Sequence, residues 1–243
     1  MSPVRALLRR ELRQLGRSRG ALLSSIGFPA LMLVVIPIPQ LLGIRATAQR
    51  MPEGVPLPPG LASSRPEDLF VLLLYPLFVT IAGLMVPSIA ATYAVVSERE
   101  RRTLELLIAL PVRLADILRA KLLALLLLGA TTTFPLLAIT TTAMLIVGLA
   151  TPFQVALLFG VLAAALTAAT CLAFVLTLLA RDFRTANNLN GVLVLPMLVM
   201  TFAVLSLVPG DARLVVHAVV LLALGGAALL AGLRWISFER YLE

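Results

Sequence analysis

Residues 122–180 read LLALLLLGATTTFPLLAITTTAMLIVGLATPFQVALLFGVLAAALTAATCLAFVLTLLA, a run of 59 residues without Asp, Glu, Lys or Arg. A helix rises about 1.5 Å per residue and the hydrocarbon core of a bilayer is about 30 Å thick, so about 20 apolar residues make one crossing. The run is long enough for two crossings. Gly148 and Pro152 near its middle supply the turn, because glycine and proline end helices readily.

Four further stretches lack charged residues, and each is long enough for one crossing. Because these runs are continuous and do not alternate with polar residues, a membrane β-barrel is excluded. The first run is too long for a signal peptide, and Pro37 and Pro39 are expected to end its helix. The sequence therefore predicts an all-α integral membrane protein, one transmembrane domain over 1–243. Its expected spans are 20–44, 69–97, 122–148, 153–180, 185–209 and 214–233.

The composition agrees with a membrane protein. Hydrophobic residues make up 60% of the chain, against roughly 45–50% in soluble domains. Only 13% of the residues are charged, and Cys171 is the only cysteine. These values exclude a disordered chain, a disulfide scaffold and a nucleic-acid-binding arm.

Basic residues are distributed unevenly between the two sides that six spans define. Residues 1–19, 98–121, 181–184 and 234–243 carry 16 of the 20 Lys and Arg. Since cytoplasmic loops are enriched in Lys and Arg, both termini are expected in the cytoplasm. We therefore expect a multi-pass protein of the cell inner (plasma) membrane.

Residues 1–19 are predicted to form a basic amphipathic helix. Val4, Leu8 and Leu12 recur at helical spacing, and arginines form the opposing ridge. Such a helix lies in the headgroup layer. It is either a lever joined to the first span or only an anchor attracted to anionic lipid.

The connection between the second and third spans, residues 98–121, has a pattern of its own. Ser97 with Glu100 fits a capping box, Thr103 offers a second helix start, and Pro111 ends the helix. An apolar stripe runs along it, formed by Leu104, Leu107 and Leu110. A short helix of this kind needs a surface to pack against, either its own bundle or a partner protein.

The string SERERRTLE at residues 97–105, followed by Leu110-Pro111-Val112 and Lys121, resembles the hallmark loop of type-2 ABC-transporter permeases. These are the six-span membrane subunits of ATP-driven exporters. The family pattern is an acidic-basic-acidic cluster, then Thr-Leu-Glu, a proline and a lysine that opens the third span. Arg102 stands where glycine is common. The basic amphipathic start, residues 181–190 and a basic aromatic tail extend the resemblance over nearly the whole chain.

The resemblance implies that the loop is a coupling helix that docks on a cytoplasmic ABC ATPase subunit. It also implies a second permease, either another copy of the chain or a paralogue, within the surrounding membrane lipid. The short connection at 208–213 implies that re-entrant helices found in many relatives are reduced or absent. The residues carried over to ATPase docking are Glu98, Arg99, Glu100, Thr103, Leu104, Glu105, Leu107 and Pro111, with Arg181 and Arg184 from the second cytoplasmic loop.

The sequence offers no ATPase site of its own. A phosphate-binding P-loop needs glycines before a Lys and a Ser or Thr, whereas Lys121, the only lysine, precedes Leu122. ATP is therefore expected to be hydrolysed in trans, and the chain is not expected to be an enzyme. Cofactor and metal sites are not expected either, because the spans contain His217 without clustered ligands, for which a structural role is predicted.

The substrate is expected to be apolar or amphipathic, because charge-free spans offer no fixed partner for a small charged solute. The candidate pathway residues are Pro76, Pro87, Thr131, Thr132, Asn190 and Pro196. The threonines have an alternative role in bonding their own helix, and Asn190 in starting one. Alternatives to the exporter are a haem-export-type permease of cytochrome maturation, an ion-exporting ABC permease and a non-transporting membrane scaffold.

Overall fold

The structure, a computed structural model, describes residues 3–17, 19–47, 69–93, 114–180 and 183–235. All regular structure in these ranges is helical. Two π-helical segments, Leu31–Val35 and Phe70–Leu74, interrupt the α-helices. The α-helices are α1 (Pro3–Arg17), α2 (Arg19–Ala30), α3 (Pro37–Thr47), α4 (Tyr75–Ala91), α5 (Leu114–Val147), α6 (Pro152–Leu179), α7 (Phe183–Leu207) and α8 (Ala212–Trp235).

Six helical stretches in the described ranges are long and apolar enough to cross a membrane. We number them spans one to six in chain order. They are Leu23–Gly43, Phe70–Ala91, Asp116–Val147, Pro152–Thr177, Arg184–Leu207 and Ala212–Gly232. The predicted all-helical fold with six spans is confirmed.

Spans two and four form the centre of the bundle. In their most apolar windows, 67% and 56% of the positions are buried, against 22–29% in the other four spans. Small residues allow this close packing: a Cβ atom placed on Gly225 of span six would meet Ala168 Cα of span four at 2.6 Å. Lipid tails are as apolar as the helices, so close van der Waals packing contributes strongly to holding the spans together.

Span one contains a proline break that differs from the sequence-based expectation. The prediction that Pro37 and Pro39 end this helix is wrong, because α3 begins at Pro37 and continues to Thr47. Proline at the first helical position loses no helical hydrogen bond. It leaves the carbonyl of Leu33, four residues earlier, without its regular α-helical donor, and the hydroxyl of Thr140 in span three donates to that carbonyl.

The turn between spans three and four is confirmed at the predicted position. Gly148 has a φ of +75°, and the amides of Gly148 and Leu149 cap the last carbonyls of α5. Thr151 and Gln154 then form a reciprocal capping box at the start of α6.

The connection between spans five and six is as short as the sequence suggests. Helix α7 ends at Leu207 and α8 begins at Ala212, so this described part of the chain has no room for a re-entrant helix. Gln154 Nε2 donates to Asp211 Oδ1 at 3.0 Å, which joins this turn to the start of span four.

Span three begins earlier than the expected residue 122. Helix α5 starts at Leu114 and includes Asp116, Arg119 and Lys121 in its first turns. An acidic residue in the first turn is favourable there because of the helix dipole. The charge-free run marked the apolar part of this helix, and the charged first turns belong to the same helix.

Candidate coupling site

The expected coupling loop joins span two to span three. The structure describes the helices on both sides of it, up to Tyr93 and from Leu114. The contacts described below are therefore those of the two helices that flank the loop. The candidate docking residues that lie outside the described residues are Glu98, Arg99, Glu100, Thr103, Leu104, Glu105, Leu107, Pro111 and Arg181.

A buried ion pair fastens the start of span three to α1. Lys121 Nζ lies 3.2 Å from Glu11 Oε2, and the two residues are 1% and 2% exposed. Removing a charge from water costs several kcal/mol, and an oppositely charged partner compensates part of this cost. The pair therefore fixes α1 against the helix that leaves the coupling loop.

Apolar contacts support the same attachment. Leu7 packs in a cluster with Ile117 and Ala120, and Leu8 and Leu12 pack against a cluster drawn from spans two, three and four. The bundle thus covers the apolar side of α1. The exposed side of α1 is basic and includes Arg5, Arg9, Arg10 and Arg13.

A buried hydrogen-bond cluster lies on the other side of the loop, near the last described residues of span two. Asn190 Nδ2 of span five donates to the carbonyl of Ser88 at 3.3 Å and to Thr92 Oγ1 at 3.2 Å. Thr92 Oγ1 itself donates to the same Ser88 carbonyl at 3.0 Å. The last described turn of span two is therefore bonded to span five.

Span two makes another polar contact, with span six. His217 Nε2 lies 2.9 Å from Thr80 Oγ1, whose single proton is directed to the carbonyl of Pro76 at 2.8 Å. The direction of this hydrogen bond is set by which nitrogen of the His217 ring carries the proton. Within the described part of the chain, no group of three His, Cys, Asp or Glu residues could hold a metal ion.

The candidate pathway residues differ in burial. Pro76 and Pro87 are buried within span two, whereas Thr131 and Pro196 are exposed. The hydroxyls of Thr131 and Thr132 bond carbonyls of their own helix. Asn190, another member of this set, donates a hydrogen bond to the carbonyl of Ser88, the residue that follows Pro87.

Arg184, the described candidate from the second loop, lies exposed in the first turn of α7. The Arg119–Asp116 pair at 3.9 Å is also solvent-exposed on the arginine side, and such surface pairs contribute little. Among the residues that the structure describes, no hydrogen bond or ion pair joins either feature to the buried contacts above.

Sequence reasoning did not identify Glu11, although a signal was present. Glu11 is the only acidic residue among the first 19, and it lies four residues after Leu7, on the apolar side of the helix. A lone acid on an apolar helix face indicates a basic partner. That partner, Lys121, is 110 residues away in sequence, so no local pattern could connect them.

Comparison with known proteins agrees with this architecture. The sequence profile of the ABC-2 type transporter family matches residues 3–209. No curated protein and no solved structure matches the chain significantly. The family match covers α1, the coupling segment and spans one to five. The chain therefore belongs to the ABC-2 type transporter family, as the multi-pass membrane permease that in this family works with an ABC ATPase subunit.

Proposed function

We propose that the chain is the permease subunit of an ABC exporter. It moves an apolar or amphipathic substrate outward, driven by ATP that a separate cytoplasmic ATPase subunit hydrolyses. That subunit docks on the coupling loop through the residues between 98 and 111, with Arg181 and Arg184 in further contact. Each permease pairs with a second copy or a related permease.

The attachment of both ends of the loop supports this function. Near the last described residue of span two, Asn190 of span five donates a hydrogen bond to Thr92. The Glu11–Lys121 pair lies at the first turns of α5. A force on the loop reaches α1, span three and span five through buried polar contacts. A loop that only connected two helices would not need buried charges at its base, since these are costly to desolvate.

The spans support the proposed substrate class. Their buried hydroxyl groups largely bond carbonyls of their own helices, as Thr133 and Thr170 do. A transport path lined by hydroxyl groups that are already bonded in this way offers little to replace the water around a bare ion. The exposed face of span five carries apolar side chains suited to lipid or to a second permease, namely Leu189, Val192, Leu195, Val199 and Phe202.

The orientation follows from charge. With 16 of the 20 basic residues on the side of the termini, that side faces the cytoplasm of a cell inner (plasma) membrane. The exposed arginines of α1 then meet anionic headgroups on the cytoplasmic leaflet.

Two loop substitutions test the function. The chain is purified in mild detergent from its own host, and the ATPase subunit that co-purifies is identified and quantified. Glu105→Lys and Leu104→Asp should each weaken its binding by about thirtyfold or more, because a wrong-sign or unpaired charge at an interface costs several kcal/mol. The permease itself should remain inserted, since both positions precede the described start of span three.

Glu53→Lys is the matched control. It makes the same charge reversal in the connection between spans one and two, on the opposite side of the proposed topology, and should retain the ATPase. Unchanged ATPase binding in both loop variants would contradict the docking assignment. Reproducible absence of any ATPase from the unmodified protein would favour a non-transporting scaffold.

A further inference from the structure

Asn190 makes a directional contact near the last described residues of span two. The carbonyl of Ser88 can only accept hydrogen bonds, so the amide nitrogen of Asn190, and not its oxygen, must face it. The hydroxyl proton of Thr92 is directed to the same carbonyl. Thr92 Oγ1 therefore accepts the second hydrogen bond from Asn190.

This arrangement leaves half of the amide unused. Asn190 is 3% exposed, and its Oδ1 is buried without a hydrogen-bond partner in the part of the chain that the structure describes. An unsatisfied buried acceptor lowers stability. Static stability alone therefore gives a poor reason for an asparagine at this position.

The position of the Asn190 contact along span two gives a better reason for an asparagine at this position. Thr92 follows the last α-helical residue of span two, Ala91, and residue 94 is the first beyond the described range. Along span five, Met197 also packs near Leu84 of span two. Apolar contacts of that kind allow helices to slide, whereas two hydrogen bonds from one amide fix direction and distance.

We propose that Asn190 is a positioning residue that transmits movement of the coupling loop to span five. This inference rests on the proposed function. When the ATPase displaces the upstream end of the loop, Ser88 and Thr92 move with it. Asn190 then carries span five along. Without this amide the loop can still dock, but span five follows it poorly.

The test separates transmission from folding. In Asn190→Leu, the Thr92 hydroxyl still donates to the Ser88 carbonyl, so no partner is orphaned and the unused Oδ1 disappears. The thermal midpoint should therefore stay unchanged or rise. On a Cys171→Ser background, a polarity-sensitive fluorophore attached to Val199→Cys, an exposed position on span five, reports movement of that span.

The measurement uses the permease with its co-purified ATPase in lipid nanodiscs. ATP should change the fluorescence of the labelled parent protein. Asn190→Leu should reduce this fluorescence change about threefold or more. The variant should retain the ATPase, and its thermal midpoint should not fall. Thr92→Val removes one of the two hydrogen bonds of Asn190 and should give a smaller loss. The double variant should lose no more than Asn190→Leu alone, because that change already removes both bonds.

Asn188→Leu is the matched control, an exposed asparagine on the same helix, and should respond like the parent. A parent-like response in Asn190→Leu, or losses that add in the double variant, would overturn the proposal. So would a loss that appears only together with a lower thermal midpoint. A parent protein that retains no ATPase would instead disprove the proposed function on which this inference rests.

Discussion

Glu11 carries the only negative charge in the first 19 residues, and it faces the only lysine of the chain. The ion pair is buried on both sides. Its contribution is therefore conditional: the two charges stabilise the attachment of α1 together, and either one alone destabilises it. This makes the pair suitable for a charge-exchange experiment.

We predict that Glu11→Lys and Lys121→Glu each lower the free energy of unfolding by about 3–5 kcal/mol, since each leaves two like charges buried together. The double variant should recover at least about half of that loss, because the attraction is restored in reverse. Thermal unfolding of the purified permease in detergent measures both effects.

Arg119→Glu provides the control for this exchange. Its side chain is 73% exposed, and surface pairs contribute about 0–1 kcal/mol. A double variant no more stable than either single variant would show that Glu11 and Lys121 do not depend on each other.

At the scale of helices, the charge-free runs located all six spans but not their ends. Pro37 begins a helix where it was expected to end one, because the contact that compensates the break comes from Thr140 of another span. The start of α5 at Leu114 was missed for a related reason. Lys121 can lie in a helix at the edge of the apolar region because Glu11 neutralises it. Both features depend on tertiary contacts, which a one-dimensional charge pattern does not contain.

The docking role of the loop stays a prediction, and the contacts on its flanking helices were not predicted. The loop pattern pointed to the connection between spans two and three, and the structure describes buried polar contacts on the helices that flank it. The asparagine at 190 was noted in the sequence, but its partners Ser88 and Thr92 lie about a hundred residues away. Only packing brings these residues together.

Helix packing gives a prediction at two adjacent glycines of span six. A Cβ at Gly225 would lie 2.6 Å from the backbone Cα of Ala168, whereas a Cβ at Gly226 meets nothing within 4 Å. Gly225→Ala should therefore force spans four and six apart and cost about 1–3 kcal/mol. Gly226→Ala should be neutral or stabilising by up to about 1 kcal/mol, because alanine favours a helix.

Thermal unfolding in detergent distinguishes the two variants. Both make the same chemical change in the same helix, so altered hydrophobicity or helix propensity cannot explain a difference between them. Equal thermal midpoints would mean that spans four and six are not in the close contact described above.

At the scale of the whole molecule, the spans combine an apolar periphery with buried hydroxyls that are largely bonded within the bundle. The expectation that the spans are free of charge is wrong, because span three includes Asp116, Arg119 and Lys121, and span six includes the buried Arg213. Many buried hydroxyls donate to a carbonyl one turn back in their own helix; examples are Thr133, Thr141, Thr170, Thr201 and Ser206. A hydroxyl whose proton is committed in this way has limited capacity to coordinate a passing solute. Two copies of such a bundle would enclose or border a path that favours apolar surface.

The transport prediction follows from this surface. Dehydrating a small ion costs far more than a few hydroxyl oxygens return, whereas an amphipathic molecule loses little on leaving lipid for an apolar path. Reconstituted with its co-purified ATPase in liposomes, the permease should hydrolyse ATP faster when amphipathic compounds are added and show little response to inorganic salts at constant ionic strength. ATP-dependent movement of sodium or another small ion, without stimulation by amphipathic compounds, would assign the protein to ion export. In that case the polar path would have to include groups other than these hydroxyls, from this chain or from a different partner permease.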